Sequence, residues 1–402
     1  MYLLTIFFSF FGFLHCSEKS IGQEKHVKAY AQPVEWNGKL KLSDHLEDFE
    51  ILTVKDNDRI LLSKILRLQV YDNRTYIKCW QRAFIFIFDQ HLNHIINIKP
   101  TGSGPLEFSN LTDYYIDYPN QALYVLDGIL GKVVEYDLKT FEPIDELILN
   151  NLNPVGFTKV DGQFIFITND FEEGIVKICD IKTNECLSSQ ITEPKSVNMI
   201  NSLNPFFYFQ NHLLMGLSFS DTIYQYDGKR FISFATVGKA ETSIASLDFQ
   251  DLYSELLETR IFSEKTKKTY IPVGYNSSFG NLILVPLGLH YGSATIIINP
   301  DLKKSIFIHK KNIGDFHLFF YEGLLILDKD EKGYYYSYVM PNPKFYESVE
   351  KIIYEQKTTK LALYLSEFIK EFPEENSGEN PFVIKFKMKP NALEKALFIE
   401  KN

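Results

Sequence analysis

The stretch from Thr101 to Leu149 decides how this chain is read. It opens Thr101-Gly102-Ser103-Gly104-Pro105-Leu106-Glu107-Phe108. It continues Tyr114-Tyr115-Ile116-Asp117, then Ala122-Leu123-Tyr124-Val125-Leu126-Asp127, then Lys132-Val133-Val134-Glu135-Tyr136-Asp137. A glycine-proline turn is followed by short runs of β-branched and aromatic residues, each closed by an aspartate. Such residues suit a pleated, half-buried surface. A short acceptor at the strand end can bond its own backbone and start the turn. The stretch reads as one four-stranded blade of a β-propeller.

The unit recurs. An apolar strand ending in an aspartate, a turn, and another apolar strand appear around Phe88-Asp89, Tyr136-Asp137, Cys179-Asp180 and Tyr226-Asp227, at intervals between 43 and 48 residues. That is the repeat length of four-stranded propeller blades. The next equivalent, Asn299, follows Asp227 after 72 residues. The excess matches a helical insertion over 246–263, where Leu252, Leu256, Leu257 and Ile261 share one helical face. The marker aspartates fall one per blade and belong to turns at the periphery, not to a metal set. Strands such as Gln163-Phe164-Ile165-Phe166-Ile167 and Asn281-Leu282-Ile283-Leu284-Val285 are apolar almost throughout, as expected of strands buried on both faces.

These markers predict an all-β, six-bladed β-propeller over 35–390, with blades near 59–99, 107–149, 151–192, 197–237, 270–309 and 312–339. Two C-terminal helices are expected within 343–372. Pro343 marks the start of the first, and Phe345, Val349, Ile352 and Ile353 form its apolar stripe. The final strand Pro381–Phe386, or the segment around Val34–Leu42, would close the ring and remove an exposed edge.

Residues 1–16 read as an export signal and 17–34 as a linker. Leu3–Leu14 is almost wholly apolar and is followed by Cys16. It is too short for a comfortable transmembrane helix and suits a signal-peptide core. The segment resembles a bacterial lipoprotein signal, with Cys16 as the lipidated residue. It departs from that pattern in having no Lys or Arg before the apolar run and His15 before the cysteine. An ordinary signal peptide, giving a periplasmic or secreted protein, is the alternative. Cys179 and Cys186 flank Asp180–Glu185. A symmetric hairpin would set them opposite one another at disulfide distance, whereas a bulge would turn them apart. Cys79 reads as a small buried hydrophobe.

The chain carries a formal charge of −9 and no long basic stretch. Nucleic-acid binding needs clustered Lys and Arg, so it is excluded as a leading class. No HExxH, GxSxG or phosphate-binding glycine loop is present, and Gly102-Ser103-Gly104-Pro105 is a turn.

The run Gly102–Phe108 ahead of a strand with Asp113 and Asp117, the strand Ser220–Tyr226 and the terminal Glu379–Phe386 resemble the six-bladed β-propeller lipoproteins of Bacteroidetes. NHL-like and TolB-like propellers are structural relatives of that family. The resemblance implies the fold and an envelope location, with a lipid anchor at the outer membrane as the only membrane contact. It implies no active site.

Propeller lactonases, which this architecture resembles, hold calcium at the central channel. Calcium wants several oxygen ligands from different segments. Asp113, Asp117, Asn169, Asp170 and Asp221 are the candidate funnel residues, with His290 at the end of an apolar strand. The sequence names no metal site and no required cofactor. Three classes follow: a binding or scaffold propeller for a glycan, peptide or partner protein; a lactonase-like hydrolase or lyase; and a subunit of an envelope assembly. Binding is the leading expectation, because no local motif supplies a nucleophile together with its base.

The lipoprotein reading predicts that metabolic labelling with a fatty-acid analogue marks the chain and that Cys16→Ser abolishes the label. Equal labelling of the two would rule out Cys16.

Overall fold

The computed structural model describes residues 28–29, 33–54, 60–80, 82–149, 152–168, 174–180, 186–188, 191, 205–217, 220, 222–236, 271–272, 276–288, 294–320, 324–376 and 378–399. Their strands form six sheets around a ring, antiparallel except for two short N-terminal strands and built in chain order except in the last blade. Blade one is Ile65–Tyr71, Arg74–Cys79, Ile85–Asp89 and His94–Ile98. Blade two is Asp113–Asp117, Ala122–Asp127, Lys132–Asp137 and Pro143–Ile148. Blade three is Pro154–Val160, Gln163–Thr168, Val176–Asp180 and Cys186–Ser188. Blade four is Phe206–Phe209, His212–Gly216, Thr222–Tyr226 and Phe231–Thr236. In blade five, Ile271–Pro272 and Ser277–Phe279 both pair with Leu282–Gly288, followed by Ala294–Asn299 and Lys304–His309.

Blade six departs from the expected span 312–339. Only Asp328–Lys329 and Tyr335–Val339 come from that region; Phe382–Met388 and Leu46–Leu52 supply the other two strands. An early and a late segment of the chain thus meet in one sheet. Leu324–Leu327 leads into Asp328, and the Leu327 amide donates to Tyr336 O at 2.8 Å. The side chains of this segment alternate, Leu324 and Ile326 packing toward blade five, Leu325 and Leu327 toward blade one.

The N-terminal segment does more than link. Lys28–Ala29 pairs in parallel with the outer strand of blade four and Val34–Glu35 with that of blade five, so the expected linker over 17–34 includes strand. Unpaired edge amides are a template for any passing strand, and here the chain covers two edges with itself. Gly314 N–H donates to Leu40 O at 2.7 Å, and the Asp315 carboxylate accepts from the amides of Leu42 and Ser43 at 2.9 and 2.7 Å.

Six apolar clusters fill the six gaps between neighbouring blades. In Gln163–Thr168 the alternation is plain: Phe164 and Phe166 face blade two, while Ile165 and Ile167 face blade four. The strand is apolar throughout because each face has its own partner. The C-terminal helices, Pro343–Glu355 and Lys360–Glu371, join the second and third strands of blade six and seat Phe345, Val349, Leu365 and Phe368 on the cluster between blades five and six. Asn342 caps the first helix by accepting from Phe345 N–H, with Pro343 at its opening position. The insertion expected over 246–263 lies outside the described residues.

Strand direction gives the ring two unlike faces. On one, each first strand turns straight into the second. Asp72 and Asn73, Asp161 and Gly162, and Gln210 and Asn211 all have positive φ there, the tight-hairpin geometry that Asn, Asp and Gly tolerate. We call this the hairpin face. The opposite, connection face carries the crossings between blades. There Glu107 folds back to accept from Gly104 N–H at 2.9 Å, and Lys132 Nζ donates to Gly104 O at 2.7 Å. The peripheral aspartates act as the repeat implies: Asp137 Oδ1 accepts from the amides of Lys139 and Thr140, Asp227 Oδ1 from those of Lys229 and Arg230.

Ile384, fully buried in the closing blade, tests the closure. Ile384→Ala is expected to cost about 2–5 kcal/mol in a urea unfolding titration, while Ile129→Ala on an exposed turn stays within about 0.5 kcal/mol of wild type.

Candidate functional site

The first strand of every blade lines the axis, so the axial side chains are those a ligand can reach from several blades at once. Two buried ion pairs tie these strands together. Arg67 in blade one holds Asp113 in blade two at 2.7 Å, and the second Asp113 oxygen accepts from Phe157 N–H in blade three at 3.2 Å. Asp117 in blade two holds Lys159 in blade three at 2.8 Å, and Lys159 also donates to Tyr124 OH at 2.6 Å. Lys78, buried beside the first pair, donates to Thr112 O, and burial lowers its pKa.

Asp113 and Asp117 therefore reach the axial strands, but each is committed to a cation of the neighbouring blade. Removing one partner would strand a buried charge, a loss on the order of 3–5 kcal/mol. Of the other expected funnel residues, Asn169, Asp170, Asp221 and His290 lie outside the described residues, as does Cys16. Among the described residues no three His, Cys, Asp or Glu side chains gather into a metal-holding group. Cys179 and Cys186 stand directly opposite in blade three with their sulfurs 2.01 Å apart, joined as a disulfide across its outer edge. Burial pushes the Cys79 thiol up to about 12, which leaves it a packing residue.

The hairpin-face end of the axis has a different character. Tyr71 and Tyr118 stack at 4.5 Å between ring centres. Tyr115 in blade two and Tyr208 in blade four lie close enough to shift one another's ionisation although blade three lies between those blades, which places both at the axis. Tyr208 keeps 48% of its surface exposed. Asp328 closes the group. Its Oδ2 accepts from Val70 N–H at 2.6 Å, linking blade six to blade one. Burial drives its pKa up to about 7, against the pull of the Val70 and Lys329 amides and of Arg67. Asp328 keeps partial solvent access.

Sequence reasoning missed this cluster, although a signal exists. Tyr71, Tyr118 and Tyr208 each stand just before an asparagine-bearing turn, in Tyr71-Asp72-Asn73, Tyr118-Pro119-Asn120 and Tyr208-Phe209-Gln210-Asn211. A tyrosine repeated at that position of the blade marks the mouth of the ring.

Residues 21–275 match the family model DUF5128, described as a 6-bladed beta-propeller. The chain belongs to this family. No curated protein matches the chain in sequence. Among solved structures, a Bacteroides fragilis protein described as exported shares the fold at a TM-score of 0.66 and 13% identity, covering 90% of this chain and 99% of its own. A DUF4221-family member from Bacteroides vulgatus reaches a TM-score of 0.49 at 12% identity, over 86% of this chain and 97% of its own. Virginiamycin B lyase from Staphylococcus aureus reaches 0.38 at 12% identity, over 65% of this chain and 73% of its own. The last two are too remote to bear on chemistry, and the first bears on fold alone.

Asp328 yields a test. Its folded-state pKa lies above the unfolded value of about 3.9. Its contribution to stability is therefore complete below about pH 4 and is lost as pH rises through about 7. Asp328→Asn, measured against wild type by urea midpoints, should gain stability as pH rises from 4 to 7. A difference that does not change over that interval would show that Asp328 ionises freely.

Proposed function

We propose that this propeller is a binding protein of the bacterial cell envelope, held by a lipid on Cys16 and presenting the hairpin-face end of its axis to a ligand. The observation that carries the reading is the tyrosine group Tyr71, Tyr115, Tyr118 and Tyr208 gathered from blades one, two and four. Tyrosine offers a flat apolar face and a hydroxyl on one rigid side chain, the combination that binds sugar rings or peptide segments with little loss of entropy. The two axial ion pairs support the same reading, because they fix the strands on which these rings stand. The export-like segment Leu3–Cys16 and the exported description of the Bacteroides fragilis protein support the envelope location.

Titration of the purified chain with neutral oligosaccharides and with unstructured peptides, followed by calorimetry, tests the reading. Saturable binding is expected, weakened about tenfold by Tyr208→Ala, or about 1.4 kcal/mol. Turnover of a lactone or ester panel, with or without calcium, that is abolished by replacing one axial carboxylate would make the protein an enzyme.

A further inference from the structure

Three carboxylates of described axial strands are buried or nearly so, and they are not equivalent. Asp113 and Asp117 each hold a basic side chain at salt-bridge distance. Asp328 is given only amide donors, Val70 N–H at 2.6 Å and its neighbour Lys329 N–H; no described residue forms an ion pair with it. Arg67 is close enough to be felt, but it is engaged by Asp113. A carboxylate taken from water without a cation is costly, and each of its oxygens can accept more than one donor.

A second acceptor stands on the same strand. Gln69 lies between Arg67 and Tyr71 on the strand face turned toward blade two, and its Oε1 is buried with no hydrogen-bond partner. The third element is aromatic. Tyr118 is near enough to Asp328 for that charge to raise its pKa after burial has done so, and Tyr71 stacks on Tyr118. Asp328, Gln69, Tyr71 and Tyr118 all retain partial solvent access. One acceptor lacking a donor, a carboxylate lacking a cation and two electron-rich rings make one coherent demand.

We propose that Asp328, Gln69, Tyr71 and Tyr118 form a receptor for a ligand's ammonium group at the hairpin-face end of the axis. The proposal deepens, and rests on, the reading of this end as a binding site. An alkylammonium offers three N–H donors for Asp328 and Gln69 and a cation for the tyrosine faces. A lysyl side chain of a peptide and a free amine share this chemistry. A side chain that lacks the ammonium, as in norleucine, leaves Asp328 without a cation and Gln69 Oε1 without a donor, so discrimination against it is strong. The groups facing Asp328 are Arg67 from blade one, Tyr114 and Tyr118 from blade two, and Asp330 and Tyr336 from blade six. Arg67 and the three tyrosines, all with raised pKa values, keep their charge state through neutrality, so binding strengthens as Asp328 ionises.

The test is calorimetric titration of the full chain at pH 8 and pH 6 with N-acetyl-lysine methylamide, N-acetyl-norleucine methylamide, cadaverine and a neutral oligosaccharide set. Saturable binding of the lysine derivative or of cadaverine is expected, with the norleucine derivative at least tenfold weaker. Asp328→Asn should weaken the amine at least tenfold and remove the pH dependence, and Gln69→Leu should weaken it severalfold. Tighter binding of the lysine derivative assigns the site to a peptide side chain; tighter binding of cadaverine assigns it to a free amine. Equal binding of lysine and norleucine derivatives, or an Asp328→Asn protein of unchanged circular dichroism that binds amine as wild type does, overturns the proposal. Should Asp328→Asn fail to fold, Tyr118→Leu and the wild-type pH profile decide in the same way. Binding of neutral oligosaccharides without any response to amines overturns the ammonium assignment and leaves the binding reading standing, whereas no response to any probe overturns both.

Discussion

Every strand of this protein that is apolar on both faces needs a neighbour on both sides, and only a closed ring meets that demand for all sheets at once. Phe164 and Phe166 need blade two as much as Ile165 and Ile167 need blade four. An open row of blades would leave the outer faces of the first and last wet, losing roughly 25 cal/mol for each Å² of apolar surface left exposed. Closure therefore holds the structure together, and blade six is where it happens. Leu46–Leu52 and Phe382–Met388 lie side by side there, so the two ends of the chain are fastened in one antiparallel ladder.

The same closure explains the polar details near the seam. Asn380 accepts from Leu62 N–H at 2.6 Å and donates to Ile60 O at 2.8 Å, standing in for a strand where the chain passes from blade six to blade one. Asp315 does a similar service for Leu42 and Ser43, at the cost of a carboxyl whose pKa burial raises. Arg67–Asp113 and Lys159–Asp117 sit where the first strands crowd together. Charges are tolerated there because each has a partner from the adjacent blade, and because breaking either pair costs far more than an exposed pair would.

A ring of parallel first strands also sorts the loops. Hairpin turns, short and fixed by Asn, Asp and Gly at positive φ, collect on one face, while crossings and the C-terminal helices collect on the other. Tyr208, two residues before one of these turns, stays exposed. Turn chemistry helps place the tyrosines there: Tyr71 and Tyr118 stand directly before Asp72-Asn73 and Pro119-Asn120, and Tyr208 stands two residues before Gln210-Asn211.

The sequence by itself determined the blade count, the aspartate-started turns and the apolar strands, because these are local. Period, turn chemistry and two-sided burial are written in contiguous residues, as in Ala122–Asp127, and so was the helix start at Pro343. It left open which strand closes the ring, since the partner of Phe382–Met388 lies at the far end of the chain and pairing over such a separation leaves no local mark. The axial site was equally out of reach. Asp113 and Asp117 looked like free acceptors until Arg67 and Lys159, each some forty residues away in the sequence, were found beside them. Asp328, which no sequence signal singled out, is the axial carboxylate of the described strands without a cation. Whether a carboxylate is paired depends on what other blades bring to it, and only the tertiary structure decides that.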